Sequence, residues 1–265
     1  MAAKTAIAWT DATFNIAWGC QKVSPGCQNC YADALALRYG HDLWGPTAVR
    51  RTFGAKHWTE PLKWNREAGR TRTSTRVFSS SMCDIGEDHP TIAAERERLW
   101  PLIRATPWLD WQLLTKRAQR LAEILPDDWG PTGYPNVWLG VSIENQDYAW
   151  RADCLRGLPA AVRFVSYEPA LGPLELDLSD IDWVIYGGES GPGFRAMDEQ
   201  WARDMHRACL EAGSAFFFKQ SAAPRTEMGT LLDGRLVREY PIPRKRLGSD
   251  AARSWVSPLS SPTGR

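Results

Sequence analysis

The sequence predicts an α/β protein in which about six to seven parallel strands form a partial or modified (β/α) barrel. Short β-branched or aromatic runs alternate with helical patterns once the first cysteines are passed. Seven such runs suit an incomplete barrel better than a sandwich. Most of the runs also end in a compact polar cluster, and a β/α barrel gathers its site on the rim formed by the carboxyl ends of its strands.

The expected strands are 13–18, 76–81, 111–115, 137–142, 162–167, 183–186 and 215–219. Helical patterns fall between them at 31–39, 91–105, 118–125, 146–155 and 199–212. In the last of these, Trp201, Met205, Ala208 and Cys209 recur at helical spacing, so Cys209 is expected in the core. Cys154 lies on another amphipathic stretch and is read the same way. The chain has 265 residues, 43% of them hydrophobic, enough for one large core. Residues 1–221 are expected to form the barrel, with a basic insert at about 41–76. Residues 222–265 form a C-terminal extension expected to be partly disordered, because they are rich in Pro, Arg, Ser and Gly.

With 32 basic against 31 acidic residues, the chain lacks the field of a protein that coats nucleic acid nonspecifically. No apolar run approaches the roughly 20 residues of a membrane span. Residues 1–10 lack the apolar segment of a signal peptide, so a cytoplasmic location is expected. In a reducing compartment, clustered thiols more often bind metal or do chemistry than form disulfides. No histidine pair stands at i, i+4, and there is no G-x-S-x-G elbow or phosphate-binding Gly-Lys-Ser/Thr loop, so hydrolase and nucleoside-triphosphatase readings have no local support.

Three of the six cysteines, Cys20, Cys27 and Cys30, lie within eleven residues. A strand runs into Gly19-Cys20, Pro25-Gly26 makes a turn, and Cys27 and Cys30 stand at a helix entrance, where residues three apart can address one ion. Three thiolates leave one position open, as suits an iron–sulfur cluster with an exchangeable ligand. A structural zinc site would need a fourth ligand, for which His41 and Cys83 are the candidates. Both metals remain open at this level.

Six segments occurring in order resemble a phage- and prophage-associated three-cysteine-motif family over about residues 7–221. They are Trp9 to Asn15, Gly19 to Ala32, Leu114 to Arg117, Trp138 to Glu144, Arg163 to Pro169 and Gly187 to Pro192. The cysteine loop followed by a β/α barrel also resembles radical S-adenosylmethionine (SAM) enzymes, although the spacing here is C-x6-C-x2-C where that family has C-x3-C-x2-C. More distantly, Ser81 to Gly86, Thr115-Lys116 and Ser142 are similar to strand ends of the spore photoproduct lyase family. This resemblance implies a radical-SAM-type barrel holding a [4Fe–4S] cluster on Cys20, Cys27 and Cys30, with SAM as second cofactor and a 5′-deoxyadenosyl radical that abstracts hydrogen from a substrate. It further implies Tyr31, Ser81, Asp84, Lys116, Ser142 and Glu144 as cofactor-binding candidates and Cys83 as the catalytic candidate, a hydrogen-atom donor or a neighbour that only packs on the cofactor. Glu168, Glu189, Arg195 and Lys219 are substrate-side candidates.

For the substrate, Arg50 to Arg76 carries eight basic against two acidic residues, interleaved with Phe53, Trp58 and Trp64. That composition suits a phosphate backbone with bases stacked on aromatic faces, although a charged surface loop would read alike. Residues 222–265 add eight basic against four acidic. The expectation is modification or repair of a nucleic-acid base, with DNA or RNA as substrate, a flavodoxin or ferredoxin as electron donor, a possible phage-encoded partner and no membrane. The alternatives are a zinc- or cluster-stabilised nucleic-acid-binding accessory protein without catalysis, and a radical enzyme acting on a small metabolite or peptide.

Overall fold

A computed structural model describes residues 5–244. Its main sheet has seven parallel strands in sequential order: β1 (Ala12–Phe14), β2 (Thr75–Ser79), β3 (Leu109–Thr115), β4 (Val137–Ser142), β5 (Val162–Tyr167), β6 (Trp183–Gly187) and β7 (Ala215–Gln220). The sheet curls into a half-barrel, with β1 and β7 as its edges. Alternate residues face inward, as the period-two pleat requires. Trp138, Phe164, Trp183 and Phe217 point into the concave side and pack with Phe78 and Trp9. Fully burying an aromatic removes about 150–250 Å² from water, a gross gain of about 4–6 kcal/mol each. Gly140 is fixed by this packing, because a Cβ there would fall within the Phe164 ring.

Helix α1 (Tyr31–Arg38) follows the cysteine loop at the cavity end, and the convex face is covered by α2 (Glu60–Thr71), α3 (Pro90–Arg104), α4 (Trp150–Arg156) and α5 (Glu199–Ala212), with shorter helical turns between them. The pattern on α5 holds: Asp198 caps it by accepting from the Gln200 N–H at 2.8 Å, Gly213 ends it at φ +74°, and Cys209 is buried. Cys154, on α4, is half-buried against the core. Among the described residues no helix is long and apolar enough to cross a membrane.

Two expectations need correction. The first strand is not continuous over 13–18. It breaks after Phe14, and Ala17–Trp18 pairs antiparallel with Arg51–Thr52. The Asn15 side chain accepts from the Met82 N–H at 2.7 Å and donates to Ser81 Oγ at 3.1 Å, while its carbonyl lies 2.8 Å from His57 Nε2, so its polar groups serve neighbouring loops.

In the basic insert it is the aromatic part of the expectation that changes. Residues 60–71 form α2, whose Trp64 is buried in the core, as is Trp58 just before it, so neither ring is free to stack on a base. Arg50 is buried in a two-pronged pair with Glu87 at 2.7 and 2.9 Å, and Arg76 pairs with Asp11 at 2.8 Å. Lys63, Arg66, Arg70 and Arg72 remain exposed.

The C-terminal extension packs on the barrel through residue 244. Residues 237–239 bond antiparallel to β7 through Phe218 N–H to Val237 O at 2.8 Å and Glu239 N–H to Phe216 O at 3.0 Å. Tyr240 then bridges the open side, donating to Ala8 O at 3.2 Å with the Arg76 guanidinium 3.9 Å over its ring. Lys245, Arg246 and the expected tail from Ser249, with Arg253 and Arg265, lie outside the described residues.

Candidate functional site

The carboxyl ends of the strands surround a cavity of about 410 Å³, roofed by the cysteine loop. Cys20, Cys27, Cys30 and Cys83 all line it. So do Tyr31, Ser81, Asp84, Lys116, Ser142, Glu168, Glu189 and Lys219. Strand register explains the convergence: Ser142 and Ser166 are partners across β4 and β5, so both hydroxyls face the same space. The floor is apolar, made by Ile7, Trp9, Phe78 and Leu114.

None of the three clustered thiols is in a disulfide. Burial raises the Cys20 thiol far above its usual range, helped by the Asp84 and Glu87 carboxylates and opposed by Arg117, whose guanidinium reaches Cys20 Sγ at 3.8 Å. Burial likewise raises Cys30, against the pull of the Asp33 and Ala32 backbone N–H groups and of Lys116. Three thiols on one cavity wall, flanked by Lys116 and Arg117, fit a thiolate-ligated cluster in donor type and in counter-charge. Among the described residues no group of three or more His, Cys, Asp or Glu side chains is gathered as a metal ion would need. His41 does not line the cavity; it contacts Arg51 at 2.7 Å and packs edge-on against Trp18.

Several candidates are committed to the protein itself. Asp84 accepts from Thr115 Oγ1 at 2.5 Å, Gly86 N–H at 2.8 Å and Lys116 N–H at 3.0 Å, and pairs with Arg117 at 3.0 Å. Glu144 is fully buried and does not line the cavity. It accepts from Ser24 Oγ at 2.5 Å and from Arg151 at 2.9 Å, and Lys116 Nζ lies 3.9 Å away. Gly26 lies so close that a Cβ would come within 2.5 Å of Glu144 Oε1. Arg195 also lies outside the cavity lining, held by Glu189 through two side-chain bonds at 2.5 and 2.9 Å. Glu168 and Lys219 form an ion pair within the lining. Tyr31 donates to Ser81 O at 2.7 Å. Burial pushes the Cys83 thiol up to about 12, so it is neutral at ordinary pH.

Sequence reasoning missed Ser24, Arg117, Ser166 and the Ile7–Trp9 floor. Arg117 and Ser166 lie inside the rim motifs and could have been found there; Ser24 and Ile7 carry no local signal.

A parallel half-barrel with a three-thiol loop roofing its C-terminal cavity is the class that the fold and site define. Within it, the chain belongs to the family described as Protein of unknown function (DUF5131), whose model matches residues 4–241. No curated protein sequence matches. Similar solved structures include a doubly substituted spore photoproduct lyase with bound AdoMet and dinucleoside spore photoproduct. It is 14% identical, with a TM-score of 0.47 over 75% of this chain and 60% of that one. Another, the lyase complexed with dinucleoside spore photoproduct, is 13% identical, with a TM-score of 0.48 over 78% and 63%. The chain thus spans about 60% of the length of these lyases.

Proposed function

We propose that this chain is a radical-SAM-type enzyme acting on a base-like planar ring, in a nucleic acid or a nucleotide. The observation that carries the reading is the placement of Cys20, Cys27 and Cys30 on one wall of a rim cavity whose other lining groups include Lys116, Ser142 and Ser166. The three thiolates would hold a [4Fe–4S] cluster, which when bound supplies one electron to the SAM sulfonium.

The chain's own residues then have distinct tasks. The Lys116 ammonium makes one long ion-pair contact, to Glu144 at 3.9 Å, and retains capacity to neutralise the cofactor carboxylate. Ser142 and Ser166 offer hydroxyls to ribose or to the methionine moiety. Trp9 and Phe78, packed on each other at the floor, give the cavity an apolar base against which a ligand's ring edge can rest, while the cysteine loop above keeps water from the reacting atoms. Cys83 is neutral and retains its S–H, as a hydrogen-atom donor must. A base within a duplex would have to leave its stack to enter.

Anaerobic reconstitution tests the reading. About four irons per chain are expected, with a broad visible absorption, loss of most iron in Cys20→Ala, Cys27→Ala or Cys30→Ala, and SAM binding weakened by Lys116→Ala. A colourless protein carrying one zinc per chain would overturn it.

A further inference from the structure

The loop from Cys20 to Cys30 is longer than the radical-SAM pattern, and the extra residues are where the barrel rim grips it. At the end of β3, Arg117 donates to Gln21 O at 2.9 Å and reaches Cys20 Sγ. After β4, the buried Glu144 carboxylate holds Ser24 and leaves room only for glycine at 26. After β6, Arg195 donates to Pro25 O at 3.0 Å and Gln28 Oε1 at 3.3 Å, and Glu189 accepts from Asn29 at 2.9 Å. Inside the loop, Cys27 N–H bonds Ser24 O at 2.9 Å and Gln28 N–H bonds Pro25 O at 3.1 Å.

We infer that Arg117, Glu144 and Arg195 are positioning residues that fold the cysteine loop across the barrel mouth before any metal arrives. Each holds the loop at a different point, each is charged, and none needs a bound ion to make its contacts. Charge-assisted bonds of this kind are short and directional, and three of them from three strand ends define the loop's plane. The six residues between Cys20 and Cys27 thereby become a preformed strap, so that binding has to turn the thiol side chains together but not to order the backbone that carries them. The purpose assigned to the strap rests on the proposed function; its existence without metal does not.

Hydrogen exchange on the full chain, stripped of metal by chelator, tests this. The amides of Cys27 and Gln28 are expected to be protected in the metal-free protein. Arg195→Ala, which removes the guanidinium that donates to Pro25 O, should speed their exchange about 10-fold or more, and by more than it speeds exchange of amides in the barrel core. Ser24→Ala should act in the same direction from the β4 side. With Zn²⁺ as a probe of the thiols, Arg195→Ala should weaken binding about 10-fold, since the loop must then be ordered by the ion. Unprotected amides in the metal-free wild type, or exchange and Zn²⁺ affinity unchanged in both variants, would overturn the inference. A protected loop in a protein whose cysteines take up no metal would leave the inference standing and sink the proposed function.

Discussion

Removing the Glu144 carboxylate separates two roles that sequence reasoning could not tell apart. As a cofactor contact, its loss would weaken SAM binding and leave the empty protein as stable as before. The structure places it as one half of a buried ion pair with Arg151, with neither side chain more than 2% exposed. In Glu144→Ala the guanidinium keeps the Ser142 carbonyl at 2.7 Å but loses its counter-charge. Stranding one partner of a buried pair costs about 3–5 kcal/mol. At about 2–4 °C per kcal/mol for a domain approaching this size, the thermal midpoint should fall by roughly 6–20 °C. Adding Arg151→Met should recover more than half of that loss, because the cost lies in the unpaired charge rather than in the missing pair. Circular dichroism on cofactor-free protein reads both values. A midpoint within about 2 °C of wild type for Glu144→Ala, or no recovery in the double variant, would refute the reasoning.

Three further outcomes are expected. With its pKa at about 12, Cys83 is only about 10⁻⁴ ionised at pH 8, against about a quarter of an ordinary thiol; even after the higher nucleophilicity of a basic thiolate is allowed for, iodoacetamide should label it on the order of 50-fold more slowly, as peptide mass spectrometry can check. Burial alone would raise Glu189, but the Arg195 and Asn29 hydrogen bonds hold its carboxyl below its ordinary value. Its contribution to the latch is therefore complete above about pH 5 and is lost as the pH falls through the depressed folded value, so exchange at Cys27 and Gln28 should accelerate in acid and remain flat from pH 5 to 8 once the intrinsic rate is divided out. Gln112 is fully buried on β3, and neither polar atom of its amide has a hydrogen-bond partner among the described residues; Gln112→Leu should stabilise by about 1–3 kcal/mol, whereas a lower denaturation midpoint would mean that internal water bridges the amide.

The sequence by itself determined the β/α alternation, all seven strands of the sheet and the rim on which the polar clusters gather. Each of these follows from local pattern: a buried parallel strand is a short apolar run, and the turn beyond its carboxyl end has to be polar. It also put Asp84, Lys116, Ser142, Glu168 and Glu189 on one rim with the cysteine loop, because strand ends of a parallel barrel share a face, whereas Glu144, expected with them, is buried outside the cavity lining. The α2 helix was hidden because its exposed face is so basic that charge outweighed the spacing of Pro61, Trp64 and Ala68. Only the tertiary structure decided which charged residues are spent on the protein's own framework. Glu144 meets Ser24 across 120 residues of sequence and Arg195 meets Pro25 across 170. Local periodicity carries no information about pairs so far apart, because a carboxylate free for a ligand and one locked against an arginine are the same letter until the chain has folded.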